Sequence, residues 1–363
     1  MSRRRAVAGG GSDTSLPVDR TRRPPAETWL ARFPLESEML RLDDHWTWDF
    51  WFARDGSDYH LFFLKAPRSL GDPDLRHVHA RIGHAVSTDL RHWELLPDAL
   101  GPGEPGRWDA QATWTGNVIR HQGRWFMFYS GVSTDQHPLI QRIGLAVSED
   151  LQTWERWGNA PVVAPDPRWY ETLETGGWIE ETWRDPWVFP DPDGHGFHML
   201  LTARANHGEL DARGVVGHAW SPDLLTWEVR PPLTQPGDYA HLEVPQAVTI
   251  GAYHYLIYSV YDWAHSAARQ QRADAVCGTH YLIADQPIGP FLTVTDDFLI
   301  GSTPGAFYAG RLIQNPQDRW VLMLWAQFDP TGRFIGALAD PIPIEQHADG
   351  RLTLARTPTL PPY

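Results

Sequence analysis

Three acidic residues stand at comparable points of the chain and could do acid and base chemistry together. They occur in the segments Trp48-Asp49-Phe50, Arg184-Asp185-Pro186 and Glu243-Val244-Pro245. Carboxylates that converge raise one another's pKa, which is typical of acid and base sites. Two carboxylates flanking a glycosidic bond, one as acid and one as nucleophile or base, are the minimum for glycoside hydrolysis. A lone acid in a strand is usually a solvated residue or the partner of an Arg, so the hypothesis depends on convergence.

The neighbours of these acids in the sequence divide the roles. Arg184 beside Asp185 would keep that carboxylate ionised, which suits a binding and charge-stabilising role. Glu243 has apolar neighbours on both sides, a setting expected to raise its pKa toward the range of a general acid. Asp49 then remains as the nucleophile. Its own neighbours are also apolar, so we expect hydrogen bonds from elsewhere in the fold to keep it charged.

The acids belong to a five-fold internal repeat. Counting from Asp49 through Thr115, Asp185 and Glu243 to Ala309 gives steps of 66, 70, 58 and 66 residues. Such steps have roughly the length of one four-stranded propeller blade with long loops. Apolar second strands are predicted at residues 59–64, 124–129, 196–201, 253–260 and 320–325, and third strands at 82–86, 143–147, 216–220, 278–283 and 335–339. A Ser-x-Asp-Leu-x-x-Trp turn follows the first three of the third strands.

These patterns predict an all-β chain folded as a five-bladed β-propeller. The first strand of each blade lines the central channel, and the strands begin at one mouth. We therefore expect Asp49, Asp185 and Glu243, at the same position of their repeats, to meet there. Tyr308 is expected at the same mouth because it opens the fifth repeat.

Net charge and cysteine content limit the kinds of ligand and cofactor that the protein can be expected to bind. The formal net charge of −14 argues against nucleic acid and anionic membrane, and a neutral ligand such as a small saccharide fits better. The single Cys277 excludes an intramolecular disulfide, and no tight Cys and His spacing indicates a metal, so no metal and no cofactor are expected. The oligomeric state is left open.

Residues 1–25 are rich in Arg, Gly and Pro and are predicted to form a flexible tail, with residues 26–363 forming one propeller domain. The basic residues near the start precede no apolar run of the length that a secretory leader requires. No stretch of the sequence approaches the length of a membrane span. A cytoplasmic location is the resulting expectation, and an unconventional export route stays open as the alternative.

The 19 tryptophans fall into two groups. Trp93, Trp154 and Trp227 recur in equivalent turns and are predicted to pack blades together. Four others lie beside the first-strand openings, where a flat aromatic face would suit a sugar ring: Trp46, Trp48, Trp51 and Trp114. Ordinary packing around the channel is an equal alternative for each of them.

His84 and His218 share one position of the third strand, which favours a structural role over metal binding or base catalysis.

Four segments together resemble glycoside hydrolase family 32, the invertases, inulinases and levanases. They are the run from Ile82 to Leu100, Trp114-Thr115-Gly116-Asn117, Arg184-Asp185-Pro186 and Glu243-Val244-Pro245. The family's first motif, Asn-Asp-Pro-Asn-Gly, is replaced by Trp48-Asp49-Phe50-Trp51, which is closer to the Trp-Asp opening of the related family 68 levansucrases. The C-terminal β-sandwich usual in family 32 is not expected, since about two dozen residues follow Ala339.

The resemblance implies a retaining mechanism on β-fructofuranosides such as sucrose or short fructo-oligosaccharides. Asp49 would attack the anomeric C2 of fructose, and Glu243 would protonate the leaving oxygen. Asp185 and Arg184 would hold fructosyl hydroxyls and stabilise the transition state, with the aromatic side chains forming walls. Water or another sugar would then take the fructosyl group.

Two alternatives stay open at the level of sequence. The first is an inverting five-bladed glycosidase of the family 43 type, acting on arabinosides or xylosides, in which Asp49 would activate water. Its carboxyls would stand roughly 6.5 to 9.5 Å apart, against about 5 to 5.5 Å for retention. The second is a propeller that binds carbohydrate without catalysis.

Overall fold

A computed structural model describes residues 40–135, 139–358 and 360. The predicted tail, residues 1–25, and the first part of the predicted propeller domain, residues 26–39, lie outside the described residues. In the described part of the chain, no helix is both long and apolar enough to cross a membrane. The short helices are the α-helix α1 (Ala267–Gln270) and the 3-10 turns Arg68–Leu70, Pro73–His79, Leu210–Ala212 and Asp262–Ala264.

Five antiparallel sheets form the five blades of a β-propeller, as predicted. Blade one contains β1 (His45–Asp55), β2 (Asp58–Pro67), β3 (Arg81–Ser87) and β4 (Glu94–Leu100). Blade two contains β5 (Ala112–His121), β6 (Arg124–Val132), β7 (Arg142–Ser148) and β8 (Glu155–Arg156). Blade three contains β9 (Trp183–Pro190), β10 (Phe197–Arg204), β11 (Gly214–Ser221) and β12 (Glu228–Arg230). Blade four contains β13 (Glu243–Ile250), β14 (Tyr253–Val260), β15 (Cys277–Ala284) and β16 (Ile300–Ser302).

Blade five is built from the last five strands of the described chain. It contains β17 (Phe307–Gln314), β18 (Trp320–Phe328), β19 (Phe334–Leu338), β20 (Ile342–Gln346) and β21 (Leu352–Leu354). β18 pairs with β19 at one end and with β20 at the other. The amide of Leu338 in β19 donates to the carbonyl oxygen of Leu40 at 3.0 Å. A backbone bridge from the start of the described chain therefore joins the last blade.

The middle strands carry the hydrophobic core. Every residue of β10 and of β15 is buried, as are six of the eight residues of β14. A middle strand packs against neighbouring blades on both of its faces, so it carries a nearly continuous apolar run instead of an alternating pattern. This is why the predicted second and third strands match the observed ones closely.

The Ser-x-Asp-Leu-x-x-Trp segments are rigid turns at equivalent points of three blades. In the second of them, the Ser148 hydroxyl accepts from the amides of Asp150 and Leu151, at 3.2 and 2.9 Å. Asp150 in turn accepts from the amides of Gln152 and Thr153. The leucine has a positive φ in all three turns, at Leu90, Leu151 and Leu224. Hydrogen bonds from short polar side chains to the backbone stabilise such turns, which explains why the motif recurs.

Two of the three tryptophans that end these turns pack one blade against another, as predicted. The Trp154 ring lies edge-on against Phe62 of blade one, with ring centres 5.7 Å apart. The Trp227 ring lies edge-on against Phe128 of blade two at 5.4 Å. Both indoles therefore reach into the preceding blade. Trp93 stacks on Phe52 of its own blade.

The two predicted structural histidines are buried in matching pairs. His84 lies 2.9 Å from His60, and His218 lies 2.9 Å from His198, measured between ring nitrogens on adjacent strands. Burial lowers the pKa of His84 to about 4 and that of His218 to about 3. Both are therefore neutral at pH 7, and their repetition in two blades supports the structural interpretation.

Candidate active site

Every first strand is irregular where it enters the channel. The pairing of the first and second strands shifts register near Asp49, Thr115, Asp185, Val244 and Ala309. Four of these five residues also have positive φ: 24° at Asp49, 58° at Asp185, 46° at Val244 and 50° at Ala309. A bulge re-aims a side chain beside an active site, and strained backbone of this kind concentrates at functional positions.

The bulges change which blade-four residue is equivalent to Asp49 and Asp185 in the five-fold repeat. Val244, and not Glu243, is the blade-four equivalent of Asp49 and Asp185, because it holds the positive φ within the same register shift. Glu243 is the last paired residue before the bulge, facing Ser259, and so matches Arg184 of blade three. The prediction that all three acids occupy the same repeat position is therefore wrong. They still converge, because adjacent positions across a bulge can face the same channel.

A cavity of about 320 Å³ lies at these bulges. Seven of the eight predicted site residues line it: Trp48, Asp49, Trp114, Arg184, Asp185, Glu243 and Tyr308. The acids of blades one, three and four thus meet at one pocket, as expected. The volume lies at the small end of the range typical for ligand pockets.

Trp51, the eighth predicted residue, does not line the cavity. Its side chain is 0% exposed and stacks on Phe62 of β2 with ring centres 6.1 Å apart. It also packs against Gly116 of blade two, where an added Cβ would lie 3.1 Å from the Trp51 ring and 2.4 Å from the Phe128 carbonyl oxygen. The prediction that Trp51 binds substrate is therefore wrong, and packing between blades explains this residue.

Asp49 receives the hydrogen bond that its proposed charge requires. The Thr115 hydroxyl, from blade two, donates to Asp49 Oδ2 at 2.7 Å. Burial, followed by the negative charge of Asp185, raises the pKa of Asp49 to about 7, and the Thr115 hydrogen bond opposes that rise. Glu243 adds a smaller repulsion. The carboxyl of Asp49 is therefore poised to exchange a proton near neutral pH.

Glu243 is held by two polar partners and is not in the apolar setting that its sequence neighbours indicate. Arg184 Nη2 donates to Glu243 Oε1 at 2.5 Å, and the Tyr308 hydroxyl donates to Oε2 at 2.7 Å. Burial nevertheless raises the pKa of Glu243, with Asp185 adding to the rise while Arg184 and Tyr308 oppose it. The direction agrees with a general acid, but its cause is enclosure by the fold.

Arg184 organises one side of the pocket. Its guanidinium contacts Glu243, Glu180 at 2.7 Å and the Gln141 side-chain oxygen at 3.0 Å, whereas its closest approach to Asp185 is 3.6 Å. The expected pairing of Arg184 with Asp185 is therefore looser than its pairing with Glu243.

Asp185 is supported mainly by the neighbouring strands. Its Oδ2 accepts from the Thr202 hydroxyl at 2.7 Å and from the Val244 amide at 3.3 Å. Its own amide donates to the Ser130 hydroxyl of blade two at 2.8 Å. These contacts tie blades two, three and four together at the carboxylate.

The aromatic walls differ in how they are fixed. Trp114 donates its indole N–H to the carbonyl oxygen of His77 at 2.7 Å. Trp48 is buried, with its ring edge-on to that of His77. A 3-10 turn, Pro73–His79, thus holds both indoles at one edge of the cavity. Burial, with the charges of Arg76 and Arg184, lowers the pKa of His77 well below its ordinary value.

Sequence reasoning missed about half of the lining. The additional lining residues are Leu64, Arg76, His77, Thr115, Gln141, Glu180, Val244, Tyr261 and Trp325. Thr115 stands in an opening triplet, so the repeat pointed to it. Gln141, Glu180 and Tyr261 lie at the ends of connecting segments, where the repeat carries no information about direction.

Arg311 lies in the first strand of blade five behind the acids and was also missed. Its Nη1 donates to the Pro245 carbonyl oxygen at 2.7 Å, and its guanidinium lies 5.1 Å from the centre of the Trp187 ring. Within the described residues, its Nε and Nη2 have no hydrogen-bond partner. Burial lowers the pKa of Arg311 to about 10, a shift that Asp185 and Asp49 oppose.

Known proteins share this architecture. The inulosucrase from Halalkalicoccus jeotgali bound to kestose has a TM-score of 0.70 at 22% identity, covering 93% of this chain and 97% of that one. The catalytic domain of the Microbacterium saccharophilum K-1 β-fructofuranosidase has a TM-score of 0.72 at 17% identity, covering 91% and 85%. At these identities the likeness shows the fold.

Sequence comparison identifies the family. A fructan 1-exohydrolase from Triticum urartu is 31% identical over 202 residues, which are 49% of this chain and 31% of that protein. The chain thus spans about a third of the length of the curated relatives that it matches. The family described as Glycosyl hydrolases family 32 N-terminal domain matches residues 52–334, most of the propeller. The chain therefore belongs to glycosyl hydrolase family 32.

Proposed function

We propose that this chain is a retaining glycosidase that acts on β-fructofuranosides, with sucrose or short fructo-oligosaccharides as substrates. One observation carries the proposal: Asp49, Asp185 and Glu243 line a single small pocket in a family 32 propeller. The pKa values of Asp49 and Glu243 are both raised, by burial first and then by repulsion. Double displacement at a sugar carbon requires one ionised carboxyl as nucleophile and a second carboxyl that carries a proton to the leaving oxygen, and a raised pKa favours that proton.

The first step transfers the fructosyl group to the protein. Asp49 attacks C2 of the fructosyl ring, and the bond between C2 and the leaving oxygen breaks as Glu243 gives that oxygen its proton. Asp49 must be ionised for attack, and the Thr115 hydroxyl donates to it. Glu243 must be protonated, so substrate has to displace the interaction of Arg184 with Oε1 or share it.

The second step returns both carboxyls to their starting states. Glu243, now ionised, takes a proton from water or from a sugar hydroxyl, whose oxygen attacks C2 and releases Asp49. After proton transfer, Arg184 and Tyr308 are positioned to stabilise the Glu243 carboxylate. Asp185, fixed by Thr202 and the Val244 amide, is placed to accept hydrogen bonds from fructosyl hydroxyls and to stabilise the positive charge of the transition state.

The small cavity favours a small substrate. About 320 Å³ accommodates one fructosyl unit and part of its leaving group, so the remainder of any longer chain must lie outside. The solved inulosucrase that shares this fold is bound to kestose, a short saccharide. Membership of family 32 supports this proposal over the family 43 alternative, whose substrates would be arabinosides or xylosides.

Product analysis in aqueous methanol tests the proposal. The purified protein is incubated with sucrose, kestose, inulin, levan and arabino-oligosaccharides, and the products are separated by chromatography. We expect fructose and methyl β-D-fructofuranoside from sucrose and kestose. The methyl α-anomer would establish inversion and overturn the covalent mechanism.

Two variants test whether Asp49 and Glu243 carry out the cleavage. Asp49→Ala should abolish turnover while sucrose still binds, because Arg184, Asp185 and the aromatic walls remain. Glu243→Gln should slow sucrose by roughly two to four orders of magnitude and slow activated aryl fructosides much less. A folded wild-type protein that binds these sugars without cleaving any of them would instead identify a carbohydrate-binding propeller.

A further inference from the structure

An aromatic stack leads from Glu243 to the protein surface. The Tyr308 hydroxyl donates to Glu243, and the Tyr308 ring lies 4.4 Å from that of Tyr261, centre to centre. Tyr261 in turn stacks on Trp263, with centres 6.0 Å apart and planes inclined by only 17°. Tyr308 is 2% exposed, whereas Trp263 is 57% exposed. The stack therefore begins at the Glu243 carboxyl in the pocket and ends on an open indole.

The exposed indole is held in a fixed position. Trp263 lies in the 3-10 turn Asp262–Ala264, and its amide donates to the Asp262 side chain at 2.9 Å. The next residue, Ala264, accepts from the Ala240 amide at 2.7 Å. His241 packs edge-on against the indole, with centres 5.7 Å apart. A surface aromatic that is already ordered loses little entropy when a ligand stacks on it.

Polar side chains lead from the indole back toward the pocket. His241 Nε2 is 3.8 Å from a Glu180 oxygen, so Glu180 is one side chain away from Trp263. The Glu180 carboxylate is 21% exposed and is fixed by Arg184 and Gln141. A flat aromatic face with a carboxylate one side chain away suits a sugar ring, which has apolar faces and a rim of hydroxyls. A purely apolar ligand would leave Glu180 unused.

We infer that Trp263 is the stacking surface for the hexose unit of the leaving group, with Glu180 as an acceptor for its hydroxyls. This inference rests on the proposed function, in which Glu243 protonates the leaving oxygen. The leaving group must begin at Glu243, and the Tyr308, Tyr261 and Trp263 stack is the path that starts there. In transfer, the acceptor sugar approaches the same carboxyl and uses the same surface. Trp263 thus sets the preference among leaving groups and acceptors.

The test compares leaving groups of different reach. Wild type and Trp263→Ala are assayed with sucrose, kestose and methyl β-D-fructofuranoside, whose methyl group is too small to reach Trp263. We expect kcat/KM to fall about tenfold for sucrose and kestose and by less than about twofold for the methyl fructoside. Trp263→Phe should recover most of the loss, because an aromatic face remains. The transfer-to-hydrolysis ratio with glucose as acceptor should fall in parallel in Trp263→Ala.

A matched control uses another exposed tryptophan. Trp157 is 43% exposed and follows the outermost strand of blade two, so Trp157→Ala should leave all three substrates unaffected. The inference would be overturned if kcat/KM of Trp263→Ala fell equally for all three substrates, or did not fall for any of them. Either result would leave the glycosidase proposal intact.

Chemical protection provides a readout that does not depend on turnover. In the Asp49→Asn variant, sucrose should protect Trp263, but not Trp157, from oxidation by N-bromosuccinimide, as read by peptide mass spectrometry. Sucrose that binds without protecting Trp263 would overturn the inference. A wild-type protein that neither cleaves nor binds any fructoside would overturn the proposed function, and the inference with it.

Discussion

At the scale of single residues, the carboxyls of Asp49 and Glu243 are tuned by one hydroxyl each. Thr115 donates to Asp49, and Tyr308 donates to Glu243, each at 2.7 Å. A hydrogen bond to the ionised form lowers a carboxyl's pKa. Here both hydrogen bonds work against burial, which raises the pKa of both acids. The two hydroxyls therefore help to set the pH range in which one acid is ionised and the other protonated, together with Arg184 at Glu243.

Removing each hydroxyl should move a different limb of the pH profile. In Thr115→Val the pKa of Asp49 rises, so the acidic limb of kcat/KM for sucrose should move up by about one pH unit. In Tyr308→Phe the pKa of Glu243 rises, so the basic limb should move up instead. Thr113→Val, in the same strand as Thr115, is the control. The reverse pattern would exchange the roles of the two carboxyls.

Asp49 is also expected to lower the stability of the fold. Because its pKa in the folded protein is raised from 3.8 to about 7, the folded state is penalised once Asp49 ionises. This penalty is absent below pH 4, grows as pH rises and is complete above pH 7. A buried site of like charges that is built for catalysis commonly costs stability in this way.

Asp49→Asn should therefore stabilise the protein at alkaline pH. We expect the free energy of unfolding at pH 8 to rise by about 1 to 3 kcal/mol relative to wild type, and the difference to vanish near pH 4. Urea unfolding followed by circular dichroism at both values measures it. The exposed Glu94→Gln serves as the control. A variant that is less stable than wild type at pH 8 would show that the Asp49 charge is well compensated.

At the scale of elements, two local devices recur around the ring. The bulge of the first strand bends the backbone into the channel, and the Ser-x-Asp-Leu turn connects the third strand to the next segment. The first device serves the site, because Asp49 and Asp185 stand on it with positive φ. The second serves packing, because the tryptophan that ends the turn contacts an aromatic ring.

Removing the serine of one turn should cost stability without changing the site. In Ser148→Ala the amides of Asp150 and Leu151 lose their acceptor. The free energy of unfolding in urea should fall by about 1 to 2 kcal/mol, as for the loss of a helix cap. Ser57→Ala, in an exposed turn, should cost much less. An unchanged urea midpoint for Ser148→Ala would show that the backbone alone holds the turn.

At the scale of the whole molecule, the ring depends on contacts between blade one and blade five. Arg68, which follows β2, donates from Nε to the His45 carbonyl oxygen and from Nη2 to the Ile335 carbonyl oxygen, both at 3.0 Å. The Thr47 hydroxyl donates to the Gly336 carbonyl oxygen, and Arg91 forms an ion pair with Asp340 at 3.2 Å. These contacts supplement the backbone bridge from Leu40 to Leu338.

Loss of the Arg68 donors should weaken the entire fold at once. Arg68→Met keeps the apolar stem and removes the hydrogen bonds, so unfolding in urea should require about 2 to 4 kcal/mol less. Arg81→Met, which removes a half-exposed guanidinium, is the control. Circular dichroism and tryptophan fluorescence should report one shared transition. A separate early transition in fluorescence would show that blade five unfolds independently of the others.

The sequence alone determined the architecture and the identity of the acids. Strands, turns and blade packing follow from local patterns, namely apolar runs in strands that are buried on both faces and short polar side chains that hydrogen-bond to the nearest amides. The repeat then places the opening residues of every first strand at the channel. Asp49, Asp185, Glu243, Arg184 and Tyr308 can be identified in this way from the order and spacing of residues.

The tertiary structure decided which way those residues face and what they contact. Packing between blades takes Trp51 into the core while Trp48 lines the pocket, and the blade-four bulge leaves Glu243 one position before its apparent equivalents. Thr115 and Tyr308 reach the acids from other blades. Such contacts join segments about 65 residues apart, and a hydrogen bond across that separation depends on how whole blades pack, which no local pattern records.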